Sequence, residues 1–260
     1  MRILFIGDVV GEPGRNAVAQ IVPMLKAREG VEFVIANGEN AAGGSGITPS
    51  LCDELYKSGV DVITTGDHVW KRKELMDRLV TDKRLLRPAN YPREAVGAGS
   101  TVIESASGIN VAVINLIGRV FMQPVECPFR AAKEEIARLD KRARIIIVDI
   151  HAEATSEKIA LGWYLDGMVS AIAGTHTHVQ TADEKILPKG TAFISDVGMT
   201  GPFDSVIGRN KEAVLSRFVT QMPAKFDTAT GDVQLHGVII DVDEKTGRAD
   251  SIKRVQEKLG

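Results

Sequence analysis

Short apolar runs recur along the chain, at residues 3–7, 33–36, 60–64, 111–116, 144–150, 169–173 and 191–195, and each stops in a loop rich in Gly, Asn, Asp or His. Runs that stay apolar along their length fit strands buried on both faces. Helical segments lie between several of them. Residues 16–29 carry apolar positions at roughly helical spacing, and Thr48-Pro49 supplies an N-cap followed by Pro at the first helical position, opening a helix through Lys57. Residues 71–79 and 128–142 also read as helical. Strands alternating with helices predict an α/β layered fold with much parallel sheet. Near the end the pattern changes. Residues 235–242, a polar turn at 243–247 and residues 248–256 read as an antiparallel hairpin that completes a mixed sheet at its edge. No repeat, low-complexity tract or long linker interrupts the 260 residues, so one domain over 1–260 is expected.

Composition changes this picture little. A formal net charge of -2 gives no electrostatic footprint for a nucleic-acid duplex or an anionic membrane, so RNA as a partner draws no support from charge. No run approaches the ~18 apolar residues of a membrane span. The first apolar run is too short for a signal-peptide core and Asp8 interrupts it. Cys52 and Cys127 stand in no CxxC motif and read as small apolar residues of a reducing compartment. A cytoplasmic protein is expected, with homo-oligomerisation.

The candidate chemistry sits where the strands end. Asp8 follows the first run, Asn37-Gly38-Glu39-Asn40 the second, and Gly66-Asp67-His68 the third. His151 follows the run at 144–150, and Gly174-Thr175-His176-Thr177-His178 follows that at 169–173. Ligands bind at the carboxyl ends of strands in open α/β sheets, so parallel strands would bring Asp, Glu, Asp, His and His-x-His to one rim. Mixed imidazole and carboxylate ligands suit first-row divalent metals. His176 and His178 would diverge on a helix but can point the same way in an extended or looped segment. Glu39 is the natural bridge between two ions ~3.5–4 Å apart, a pair that clamps a phosphoryl oxygen and generates a hydroxide nucleophile.

These segments, in this order and continuing to Asp196-Val197-Gly198-Met199-Thr200-Gly201, resemble the YmdB-like branch of the calcineurin-like metallophosphoesterases. The resemblance implies a four-layer α-β-β-α sandwich with mixed sheets, two metal ions (iron or manganese, with zinc also compatible) and a phosphodiesterase acting on cyclic nucleotides. The 2′,3′-cyclic forms are preferred and 3′,5′-cyclic ones stand behind them. It implies that Asp8, Glu39, Asn40 and His178 hold one metal and that Glu39, Asp67, His151 and His176 hold the other. His68 is then the catalytic group at the leaving oxygen.

Two departures stand out. The wider superfamily begins with Asp-x-His, and Val10 takes that His position here, as in the YmdB-like branch; Asn40 is placed to fill the gap. The third motif normally carries Asn before its His, and this chain has Asp67.

Blander readings exist for each residue alone. Asp8 could cap a helix, Asn37-Gly38 is a turn signal, and a single His is more often structural than a ligand. They do not explain why so many strand ends carry metal-competent residues. His236 matches no motif and reads as structural, Trp70 and Trp163 as packing residues, and Gly43-Gly44-Ser45-Gly46 as a flexible loop beside the site. Glu153 is placed to orient an imidazole, and Arg119 and Phe121 to contact substrate phosphate and base. The competing functions are a phosphomonoesterase or nuclease on the same centre, and a regulatory protein that binds metal and nucleotide without turnover.

Overall fold

The structure is a computed structural model and describes every residue of 1–260 except Asp140. Its strands are β1 (Arg2–Ile6), β2 (Asp8–Val9), β3 (Phe33–Asn37), β4 (Val62–Thr64), β5 (Ser100–Glu104), β6 (Asn110–Ile117), β7 (Ile145–His151), β8 (Ala171–Thr175), β9 (Lys185–Ile186), β10 (Ala192–Ile194), β11 (Met199–Pro202), β12 (Val233–Val242) and β13 (Ala249–Lys258). The helices are α1 (Gly11–Glu29), α2 (Pro49–Lys57), α3 (Leu75–Thr81), α4 (Pro128–Leu139), α5 (Thr155–Leu165) and α6 (Lys211–Thr220).

The strands form two mixed sheets. One runs β2-β11-β12-β1-β3-β4, with β13 also paired to β12, and the other runs β5-β6-β7-β8-β10-β9. Each expected apolar run is a parallel strand: β1, β3 and β4 pair in parallel in the first sheet, and β6, β7, β8 and β10 in the second. Ile3, Phe5, Phe33 and Ile35 meet Val113, Ile145, Ile147 and Ile194 in a core between the sheets. A second core joins the outer face of the first sheet to α1, α2 and α3 through Leu4, Val18, Leu25, Leu55 and Leu79. A third joins the second sheet to α4 and α5 through Ile114, Ile136, Val148 and Leu161. These three cores separate four layers, helix, sheet, sheet and helix, as expected.

Differences from the expected elements have local causes. α1 starts five residues earlier than the apolar spacing implies, with Glu12 in its first turn, and ends at Gly30 in the left-handed region (φ 69°). α2 is capped as expected, Thr48 accepting from the Leu51 amide. α3 begins at Leu75 rather than Lys71, and α4 is described to Leu139, so the helix expected to Arg142 crosses Asp140, outside the described residues. α5 escapes the apolar pattern because its buried face includes Glu157 and Lys158. α6 escapes it because Val214 alone is buried, while Leu215, Phe218 and Val219 face outward. The C-terminal hairpin forms, but β12 is not an edge: it lies between β1 and β11 in the sheet order and also pairs with β13. Trp163 is 54% exposed, contrary to the packing role expected of it. Trp70 does pack, edge-on to Tyr91 at 5.4 Å. Among the described residues no helix is long and apolar enough to cross a membrane.

His236 lies in β12, stacked on Phe203 with ring centroids 4.3 Å apart, and burial pushes its pKa down to about 4. The fold thus holds the neutral ring. Its contribution is complete above the unfolded value near 6.5 and is lost as pH falls through 4. Allowing for solvent at the ring edge, about 1–3 kcal/mol of the acid-induced loss of stability arises here. The His236→Phe variant should therefore show a flatter melting-temperature profile than wild type between pH 6.5 and 4; parallel profiles would assign the acid limb to other groups.

Candidate metal centre

The carboxyl ends of the parallel strands meet at one edge of the sandwich and carry every expected ligand. Asp8 opens β2 directly after β1, Glu39 and Asn40 turn out of β3, and Asp67 and His68 turn out of β4. The opposite sheet supplies His151 as the last residue of β7, and His176 and His178 just beyond β8. Glu39, Asp67, His151 and His176 each offer a ligand atom, all within 4.8 Å of one another. His151 Nε2 lies 3.1 Å from Glu39 Oε1 and 3.3 Å from Asp67 Oδ1. His176 Nδ1 lies 2.9 Å from His151 Nε2 and 3.7 Å from Asp67 Oδ1. Beside this group Asn40 reaches His178 Nε2 at 3.1 Å and Glu39 Oε1 at 3.3 Å, and His178 Nε2 stands 3.9 Å from Asp8 Oδ1. Glu39 therefore touches both groups.

Backbone chemistry makes this convergence possible. A Cβ on Gly66 would sit 2.1 Å from the His151 ring and 2.3 Å from Glu39 Oε2, so only glycine lets the β4 loop pass behind the cluster. His176 and His178 both adopt positive φ, 101° and 65°, a conformation costly for residues with a side chain. His176 turns toward Asp67 and His178 toward Asn40, one imidazole to each group.

Several supporting residues lie outside the expected ligand set, and of these Asp149 and Lys158 belong to none of the motifs. Asp149, fully buried inside β7, accepts from Thr64 Oγ1 at 2.5 Å, Thr175 Oγ1 at 2.7 Å and Asn37 Nδ2 at 3.1 Å, joining the two sheets behind the site. Thr175 Oγ1 is also 2.9 Å from His151 Nδ1, which leaves Nε2 to face the cluster. Asp196 holds the His176–His178 turn: it accepts from the Thr177 amide and hydroxyl and pairs with buried Lys158 at 2.7 Å. The available signal is a charged residue inside or just after an apolar strand, which burial permits only with partners.

Among the rim residues, Glu153 Oε2 stands 3.1 Å from His176 Nε2, the contact expected of it. The Gly43–Gly46 loop is not loose. Ala42 donates to Gly46 at 2.8 Å, and the Arg209 guanidinium donates to the carbonyls of Gly43 and Gly44. Arg209 carries no local signal because it arrives from a distant segment. The site opens into two cavities of about 290 Å³ each, sharing His68 and His176. One is bounded by Asn40, His178, Ile207 and Arg209, the other by Asp67, Lys71, Phe121 and Gln123. Arg119 is exposed and lines neither. A larger cleft of about 630 Å³ between Arg87 and α4 lies apart from the ligand cluster.

The electrostatics call for cations. Asp8 and Asp67 each leave a buried Oδ1 without a hydrogen-bond partner, and both oxygens point into the ligand groups. Burial raises the pKa of Asp8. Burial also opposes ionisation of Glu39, but His151 and His68 outweigh it and hold that carboxyl well below its ordinary range. His151 is driven the other way: burial lowers it, yet Glu39 and Asp67 raise it well above the ordinary imidazole value. Three carboxylates and three imidazoles placed so closely, two with orphaned oxygens, fit metal ions in their donor chemistry.

The family model described as "YmdB-like protein" matches residues 4–255. The chain belongs to the YmdB-like family. A family relative from Bacillus subtilis (strain 168), named 2′,3′-cyclic-nucleotide 2′-phosphodiesterase, is 52% identical over 255 residues, covering 98% of this chain and 96% of that one. Two solved structures superpose closely on this chain. A hypothetical protein from Thermus thermophilus has a TM-score of 0.93 at 41% identity, covering 100% of both chains. A phosphatase from Mycoplasma pneumoniae has a TM-score of 0.92 at 37% identity, covering 99% of this chain and 93% of that one. The mixed α/β sandwich is thus common to this chain and both of those structures.

Metal binding to the folded state alone stabilises it by mass action, about 2.7 kcal/mol at a hundredfold excess over Kd. Chelator-treated protein titrated with Mn²⁺ should melt progressively higher, and Glu39→Gln should lose most of that rise because Glu39 touches both groups. A melting temperature indifferent to Mn²⁺, Fe²⁺ and Zn²⁺ would show that the cluster holds no metal.

Proposed function

We propose that this chain hydrolyses 2′,3′-cyclic nucleotides at a pair of metal ions. Its class is phosphoric diester hydrolase, and the name of the Bacillus subtilis relative supports the finer choice of substrate. The observation that carries the reading is the group of Glu39, Asp67, His151 and His176, with Asp8, Asn40 and His178 gathered beside Glu39 and the Asp8 and Asp67 oxygens left unpartnered. Asp8, Glu39, Asn40 and His178 would hold one ion and Glu39, Asp67, His151 and His176 the other. Iron or manganese fits these donors best, and zinc is compatible. Such a pair, when bound, polarises the phosphoryl oxygens and makes water nucleophilic at neutral pH.

The chain's own groups do the rest. His68 borders both cavities, with Nδ1 2.9 Å from Asn40 Oδ1 and its backbone amide 3.2 Å from Glu39 Oε2. Its contact with Glu39 outweighs burial and raises its pKa above the ordinary value. That shift favours the protonated ring, which can donate to the departing ribose oxygen. Arg209 spends its guanidinium on the carbonyls of Gly43, Gly44 and Phe226, so it shapes the wall of one cavity and adds positive charge beside the diester.

A panel of 2′,3′-cyclic AMP, 3′,5′-cyclic AMP, adenosine 3′-monophosphate and a short RNA tests the substrate. The 2′,3′-cyclic diester should give the highest kcat/KM. Preference for the monophosphate would support the phosphatase reading, which the name of the Mycoplasma pneumoniae phosphatase favours. His68→Ala should lower kcat by about 10²–10⁴ while metal content stays at the wild-type level. An unchanged kcat would remove His68 from the reaction.

Asp67 gives the centre its own character. Two divalent ions bring four positive charges and Asp8, Glu39 and Asp67 remove three, where an Asn at position 67 would leave one more. A less positive centre attracts a phosphodiester anion less and favours harder or more oxidised metals. Asp67→Asn should shift the metal content found by elemental analysis or raise kcat/KM. Identical loading and identical kinetics would refute that role.

A further inference from the structure

We propose that Phe121 is a stacking wall for the nucleobase, in the cavity on the Asp67 side of the metal centre. The inference rests on the cyclic-nucleotide reading above. Phe121 lies in the loop joining β6 to α4, and its side chain is 89% exposed, so burial does not explain an aromatic there. Turn chemistry does not explain it either. The Met122 amide donates to the Arg119 carbonyl at 3.3 Å, making Phe121 the third residue of a tight turn. Its φ is 62°, where Gly or Asn is the usual occupant and a bulky residue is strained.

The loop around it is firmly held. The amides of Arg119 and Val120 donate to the Glu157 carboxylate at 3.1 and 3.2 Å. The Asn90 side chain clamps both ends, donating to the carbonyls of Ile117 at 2.8 Å and Glu126 at 2.9 Å. Met122 packs against the two outer cores, and the Gln123 amide donates to the Tyr91 hydroxyl. A loop so anchored, which keeps an exposed ring in an unfavourable backbone state, is organised for a ligand rather than for the core.

The position of the ring identifies the ligand. Phe121, Met122, Gln123 and Lys71 line a cavity of about 290 Å³ whose remaining walls are Asp67, His68 and His176. The cavity therefore begins at the metal cluster and at the proposed proton donor. A cyclic phosphate gripped there carries a ribose and, one sugar away, a flat aromatic base. A phenyl face stacks on any base, so it supplies affinity without reading sequence. Lys71 on the same wall offers a cation to the phosphate or to the polar edge of the base.

Kinetics with and without a base test this. The metal-loaded wild type, Phe121→Ala and Phe121→Trp are compared on 2′,3′-cyclic AMP and on methyl riboside 2′,3′-cyclic phosphate, which has the same diester and no base. Stacking is worth about 5- to 150-fold in affinity per base. Phe121→Ala should thus raise KM for the nucleotide at least about fivefold and lower by a similar factor the ratio of kcat/KM between the two substrates. Phe121→Trp should restore that ratio. An unchanged ratio, or equal loss on both substrates, overturns the stacking role. Binding gives a readout without turnover: adenosine 3′-monophosphate should quench the added emission of Phe121→Trp over the wild-type background. Absence of that quench also overturns the proposal. A Phe121→Trp protein that quenches this way, alongside a wild type that hydrolyses neither diester, would defeat the phosphodiesterase reading and leave the base site standing.

Discussion

Three carboxylates, Asp8, Glu39 and Asp67, are held against His151, His176 and His178 at the junction of two sheets, and the architecture there follows from that burial of charge. Ionised groups withdrawn from water are costly unless paired. Here the imidazoles partly compensate the carboxylates, while Asp8 Oδ1 and Asp67 Oδ1 have no hydrogen-bond partner among the described residues. Cations would supply the partners those oxygens lack, and the donor set fits them.

Behind the ligands lies a layer of polar residues that transmits the position of one sheet to the other. Thr64 of the first sheet and Thr175 of the second both donate to Asp149, and Thr175 in turn contacts His151. Burial pushes the Asp149 carboxyl up to about 6, a measure of how far this point lies from water. Lys158 and Asp196 do the same on the other flank, tying α5 to the turn that carries His176 and His178. Because packed interiors deform little, ligand geometry is set by the docking of the sheets rather than by any one loop.

Much of this is legible in one dimension. Strands buried on both faces are apolar throughout, so β1, β3, β4, β6, β7, β8 and β10 are visible as runs, and the residues ending them are visible as chemistry. α5 is not, because Glu157 and Lys158 occupy its buried face, where they serve the loop at Arg119 and the turn at Asp196. α6 is not, because its apolar stripe faces outward. Trp163 departs from its expected packing role for a related reason: residue type alone does not say which face of α5 is covered.

Residue order and polarity alone determined the layered class, the strand ends and which candidate ligands end them, since these depend on local periodicity and on chemistry carried by each side chain. Tertiary structure alone decided that Asp149 joins the two sheets behind the ligands, that β12 runs inside a sheet, that Arg209 closes one cavity from a distant segment and that Phe121 stands at the mouth of the other. Those facts are relations between segments far apart in the chain. They come into being only when burial of the central core forces the two sheets together, and no local pattern encodes the distance between them.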